Sequence, residues 1–122
     1  MTFDAGLVLG GLRLVASLLE VSWDANDQVR LTALEVWDTR VLLHFAYDGE
    51  DAYQEMQVQP SRFSWVLSDD LGTTYQRGGG GLSSGAGVSS GTAEFRPGPP
   101  IAATVIRIQD RQGQQLAAVS LV

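Results

Sequence analysis

The chain has no cysteine, no lysine and a single histidine among its 122 residues. Without cysteine there is no disulfide, no thiolate metal ligand and no thiol nucleophile. Without lysine every one of the eight basic residues is an arginine, set against fourteen acidic residues for a formal net charge of −6. A surface of that sign repels a phosphate backbone, so nucleic acid is not expected as a partner. A P-loop needs Gly-Lys-Ser/Thr at the head of a helix, and the run Gly78–Gly81 offers neither lysine nor helix. One histidine with no thiolate leaves zinc chemistry short of ligands, and no cofactor is expected.

Long unbroken apolar runs are missing too. Ala5 to Val21 is mostly apolar, but Arg13 and Glu20 interrupt it, and a membrane span needs about 20 apolar residues. Asp4 stands where the basic region of a signal peptide belongs. The expectation is a soluble core segment with no membrane span and a cytoplasmic protein, the alternative being export if a leader precedes Met1. Within this stretch Leu7, Gly11, Leu14, Val15, Leu18 and Leu19 fit a helical stripe, whereas Leu19, Val21 and Trp23 against Glu20 and Ser22 fit a strand. We favour a strand ending near Trp23.

What the chain does have is 44% hydrophobic residues and 18% charged ones, the balance of a folded domain, and a length that suits one domain over residues 1–122. Its periodic segments are short, rich in β-branched and aromatic residues, and bounded by turn residues. Val29–Trp37 and Val41–Tyr47 read as a hairpin around Asp38-Thr39-Arg40. Period-two alternation puts Val41, Leu43, Phe45 and Tyr47 on one face. It puts Val29, Leu31, Ala33 and Trp37 together as well, broken by Glu35. Asp48 to Gln54 reads as a polar loop. Phe63, Trp65 and Leu67 alternate with polar residues as a half-buried strand, and Asp69-Asp70-Leu71-Gly72 is turn chemistry. Gly78–Gly91 is Gly/Ser-rich and reads as a flexible loop. Thr92–Arg96 is a short strand stopped by Pro97-Gly98-Pro99-Pro100. Ile101–Gln109 and Gln115–Val122 form a closing hairpin. About seven strands at this spacing predict an all-β protein, an immunoglobulin-like antiparallel β-sandwich. Its expected core holds Trp37, Phe45, Trp65, Phe95, Ile106 and Val119.

Three stretches carry a resemblance: VRLTALEVWDTRVLLHF, WVLSDDLGTTY followed by the glycine run, and EFRPGPP leading into the last hairpin. Together, over about Val15 to Val122, they resemble small immunoglobulin-like domains of actinobacterial proteins and are similar to the telokin-like extracellular domain group. The resemblance implies a sandwich and brings no catalytic residues with it. The telokin-like group is usually exported behind a signal or lipobox, and neither is seen here.

Each candidate site has a plain structural explanation. His44 is the one possible base for a serine-type triad, yet its place beside Leu42 and Ala46 fits a strand histidine on the less apolar face. Asp48, Glu50 and Asp51, with Glu55 near, are the densest acidic patch and the weak candidates for Ca²⁺, which takes six to eight oxygens; their spacing matches no EF-hand loop, and a solvated acidic loop is the default reading. Asp69 and Asp70 could serve a hydrolase that uses carboxylates alone, as could Asp48, Asp51 and Glu94 if two of them converged in a pocket. Neighbouring strand residues point to opposite faces, which favours the turn reading. Trp23, Trp37, Trp65, Phe45, Phe63 and Phe95 suit a core better than a carbohydrate platform. The functional expectation is a non-catalytic interaction or structural module. Its partner is another protein or a second copy, meeting it through the apolar Leu7–Leu19 segment or a sheet edge.

Overall fold

A computed structural model describes residues 11–19, 28–49, 51–85 and 87–122. Among them are eight strands: β1 (Leu12–Ser17), β2 (Val29–Trp37), β3 (Val41–Asp48), β4 (Val66–Asp69), β5 (Gln76–Gly85), β6 (Val88–Arg96), β7 (Val105–Gln109) and β8 (Gln115–Ser120). They form a five-stranded sheet in the order β1-β2-β3-β6-β5 and a three-stranded sheet in the order β4-β7-β8. Every pairing is antiparallel. The chain is an all-β sandwich.

The core lies between the sheets and follows the alternation of β3, where Val41, Leu43, Phe45 and Tyr47 are buried and their neighbours are half-covered. Ile106 and Ile108 of β7, Val119 of β8 and Leu67 of β4 close over them from the other sheet. An aromatic cluster sits at the centre. The Phe45 ring lies 5.0 Å from that of Trp65 and 5.8 Å from that of Phe63, which in turn lies 5.6 Å from Tyr47.

Several local expectations need correction. The register of β2 against β3 shifts between Leu31 and Ala33. This bulge reverses the phase of the strand, so Val29, Leu31, Leu34 and Val36 point inward while Ala33, Glu35 and Trp37 share the outer face. Trp37 is therefore half-buried on the outside and not a core residue. Asp48–Gln54 is not simply a loop, because helix α1 (Ala52–Val58) starts within it. The Asp51 side chain caps the helix by accepting the Gln54 N–H at 3.2 Å, and Ala52 buries its first turn. Phe63 belongs to a short 3-10 turn, Pro60–Phe63, and not to a strand. Arg62 of that turn bonds Glu55 at 2.7 Å and Gln28 at 2.9 Å, which fixes helix and turn to the sheet.

The largest correction concerns Gly78–Gly91, expected to be a flexible loop. It is most of the β5–β6 hairpin, with its turn near Gly87. Alternation runs through β6, but its inward positions are small: Ser89, Gly91, Ala93 and then Phe95 are buried. They are small because β3 fills the space. A Cβ built on Gly91 would lie 2.5 Å from Phe45 Cζ and 2.8 Å from Leu82 Cδ2. The closing hairpin is shorter than its apolar run, since β7 begins at Val105 and Ile101 is exposed.

Of the Leu7–Leu19 segment, residues 11–19 are described, and Leu12–Ser17 is the edge strand β1. Leu18 is buried and Leu14 and Ala16 pack on the core, while Val15 and Leu19 remain more than half exposed. Leu7 and the choice between helix and strand before Gly11 and toward Trp23 lie outside the described residues.

Candidate functional site

The acidic candidates do not come together. Asp48 is exposed at the end of β3, Asp51 is engaged as a helix cap, and Glu50 lies outside the described residues. Among the described residues no group of three or more His, Asp and Glu side chains is placed to hold a metal ion. Asp69 and Asp70 separate as strand-end residues do. Asp69 is buried, and its carboxylate accepts from the Leu71 N–H at 2.9 Å, the Thr73 N–H at 3.1 Å and the Tyr75 hydroxyl at 2.7 Å. Burial opposes its charge, but the bonds from Thr73, Tyr75 and Leu71 outweigh it and hold the group at about 2. The same contact, after burial, pushes the Tyr75 phenol up. Asp70 faces the other way and accepts from the Thr104 N–H at 2.9 Å and its hydroxyl at 2.7 Å, bonds that lower its pKa. Both carboxylates are occupied: Asp69 ties the β4–β5 turn, and Asp70 fastens that turn to Thr104 just before β7. Glu94 is held by Arg96 at 2.5 Å and faces Arg40 at 3.8 Å.

The polar cluster of interest is on the outer face of the five-stranded sheet. The β2 bulge brings Glu35 onto this face, and the pairing Ala33↔His44↔Thr92↔Gly81 runs across four strands beside it. His44 Nε2 contacts Glu35 Oε2. Trp37 Nε1 donates to Glu35 Oε1 at 3.3 Å, and Thr92 Oγ1 lies 3.2 Å from His44 Nδ1. Arg40 stacks its guanidinium 5.3 Å from the centre of the Trp37 ring. An ionised carboxylate only accepts, so in the neutral imidazole the proton that meets Glu35 is on Nε2, and in that tautomer Nδ1 accepts from the Thr92 hydroxyl.

Beside this string is a shallow depression of about 350 Å³ lined by Thr32, His44, Ser83, Ser90 and Thr92 over the main chain of Phe45, Gly81, Leu82 and Gly91. It exists because Gly81, opposite Thr92, has no side chain; a Cβ there would meet nothing within 4 Å. The depression reaches β5, which among the described residues is an edge strand of the sheet. Along that edge Gln76–Gly81 and Ser83 are exposed.

Sequence reasoning placed His44 on the less apolar face and found no partner for it. Glu35 was the missing signal: a lone acid interrupting an apolar face marks a strand whose phase has changed. No helix among the described residues is long and apolar enough to cross a membrane. No family model matches the chain, and neither a curated protein nor a solved structure matches it.

Proposed function

We propose that this chain is a non-catalytic interaction module on an immunoglobulin-like sandwich, and that it takes an extended segment of another protein along the free edge of β5. The strand order supports the fold assignment. With β2 to β8 taken as strands A to G, the sheets are A-B-E-D and C-F-G, the arrangement of a constant-type immunoglobulin domain. β1 then extends the first sheet beyond strand A. Trp65 enters strand C, where such domains carry a buried tryptophan, and it packs on Phe45 of strand B in a chain without cysteine. The telokin-like resemblance belongs to the same proposal, with an exported domain of that group as the rival to a cytoplasmic module.

The open edge carries the functional reading. Edge strands are normally blunted by charge, proline or a covering element. From Gly78 to Gly85 β5 has no charged residue and no proline, and over Gly78–Gly81 it has no side chain to shield its outward N–H and C=O groups. An added strand bonds such groups directly. Two copies pairing there would set glycine against glycine and leave the depression unfilled, which favours a different chain as the partner.

A test uses Gly79→Lys and Gly81→Lys, positions where a new side chain meets no obstacle. The expected result is a partner retained from native cells by the wild-type chain, cross-linked through a photoreactive residue at position 79, and lost from both variants while their folds are unchanged. A partner kept equally by the variants would remove the edge from the reading. A wild-type dimer that becomes a monomer in Gly81→Lys would replace the partner by a second copy.

A further inference from the structure

We propose that Thr92 is an activated hydroxyl that accepts an acyl group from an activated ester, with His44 as its base and Glu35 as the residue that positions the base. Three observations place these groups in one device. Thr92 Oγ1 lies 3.2 Å from His44 Nδ1, the nitrogen that accepts when the neutral imidazole carries its proton on Nε2 toward the Glu35 carboxylate. A hydroxyl that donates to an imidazole nitrogen held by a carboxylate is the arrangement that nucleophilic hydroxyls need, here with the two ring nitrogens exchanged relative to the serine-protease order. The approach to Thr92 is open, since it borders the depression and its cross-strand neighbour is Gly81, above which no atom lies within 4 Å of a side-chain position. Ser83 and Ser90, whose hydroxyls bond each other at 3.3 Å, border the same depression, and the one that accepts in that bond keeps its O–H for the oxygen of the reacting carbonyl.

The reaction is a simple transfer. Thr92 Oγ1 bonds to the carbonyl carbon of the ester while its proton passes to His44 Nδ1. The tetrahedral centre then collapses, the bond from carbon to the leaving oxygen breaks, and that oxygen takes the proton from His44. Thr92 ends as an ester, an alcohol or phenol is released, and the imidazole is neutral again. Thr92 acts as a stoichiometric acceptor, so the step is separate from the β5 edge and stands or falls apart from it.

The experiment incubates the whole chain with p-nitrophenyl acetate at neutral pH and reads intact mass, peptide maps and the rate of p-nitrophenol release. One acetyl group on Thr92 is expected, absent in Thr92→Val and retained in Thr92→Ser. General-base assistance is worth about 10²–10⁴-fold, so His44→Gln should slow labelling at least about tenfold. Glu35→Gln should slow it less, and Glu35→Asp should recover part of the loss with an unchanged circular dichroism spectrum. His44 is the chain's one histidine. If His44→Gln fails to fold, diethyl pyrocarbonate treatment of the wild-type protein blocks the same base. Labelling at Thr92 that depends on His44 supports the proposal. No acetyl group on Thr92, labelling only elsewhere, or a rate at Thr92 indifferent to His44 overturns it.

Discussion

Two hairpins of the same sheet, β2–β3 and β5–β6, reach one architecture by opposite means. The first is built from large side chains: Leu31, Leu34, Val36, Leu43 and Phe45 fill the space between the sheets. The second yields that space: Gly91 lies against the Phe45 ring, with the small buried Ser89 and Ala93 to either side opposite Tyr47 and Leu43. A close-packed interior needs both. A ring that reaches across from one strand requires a neighbour with nothing to put there. Gly/Ser composition therefore marks a strand here, because its emptiness is the complement of bulk elsewhere.

The sharpest way to break that comparison is to remove the bulk. Phe45→Ala should destabilise the fold by about 3–5 kcal/mol, read as a fall in the urea midpoint, since the Trp65 ring loses its partner and the Phe63 ring keeps only Tyr47. Filling the space from the other side should also hurt. Gly91→Val adds a branched side chain within van der Waals overlap of Phe45 and should cost about 1–3 kcal/mol. If Gly91→Val were neutral, the hairpins would not be complementary in the way argued.

A third test works away from the core, through pH. Asp69 is held at about 2 against an ordinary 3.8, so it adds stability that is full above 3.8 and is lost as pH falls through about 2. Linkage puts the loss at about 2 kcal/mol. Melts at pH 4.5 and pH 2 should show it in the wild type and show much less of it in Asp69→Asn. The smallest effect separates two adjacent glycines. Gly80 sits next to a register shift, and a Cβ on it would overlap the Thr92 carbonyl, whereas Gly81 faces open space. Gly80→Ala should lower the melting temperature, and Gly81→Ala should leave it within the change that about 0.5 kcal/mol produces.

How much of this is legible in the sequence depends on which residues carry the alternation. β3 announces itself because every second residue is large and apolar, and the β7–β8 hairpin does so through Ile106 and Ile108. β6 alternates as faithfully, but in Ser, Gly and Ala, whose burial cannot be told from a loop without knowing that Phe45 lies opposite. β2 misleads for another reason. One extra residue at Thr32 exchanges the faces beyond it, so Trp37 leaves the core and Glu35 meets His44. The site was hidden by the same shift, since Glu35, His44 and Thr92 come from three strands whose register no composition reveals. Helix α1 was missed because it is short and shows no apolar stripe, with Ala52 as its one buried residue. The turn roles of Asp69 and Asp70, by contrast, follow from their place at a strand end.

The glycine run of β5 has a consequence for how the strand finds its place. A strand is normally set in register by which side chains must go inward, and Gly78–Gly81 specify nothing of that kind. Two anchors remain. Arg77 donates to the Phe63 carbonyl at 3.2 Å and lies 5.8 Å over the Phe95 ring, and Leu82 packs on the core five residues further along. Between those fixed points the chain could slide along β6 without exchanging one side chain for another. The alignment of the glycine run thus depends on its two ends, a guanidinium at one and an isobutyl group beside the Ser83–Ser90 hydroxyl bond at the other, and the loss of either end would let the hairpin pair in more than one frame.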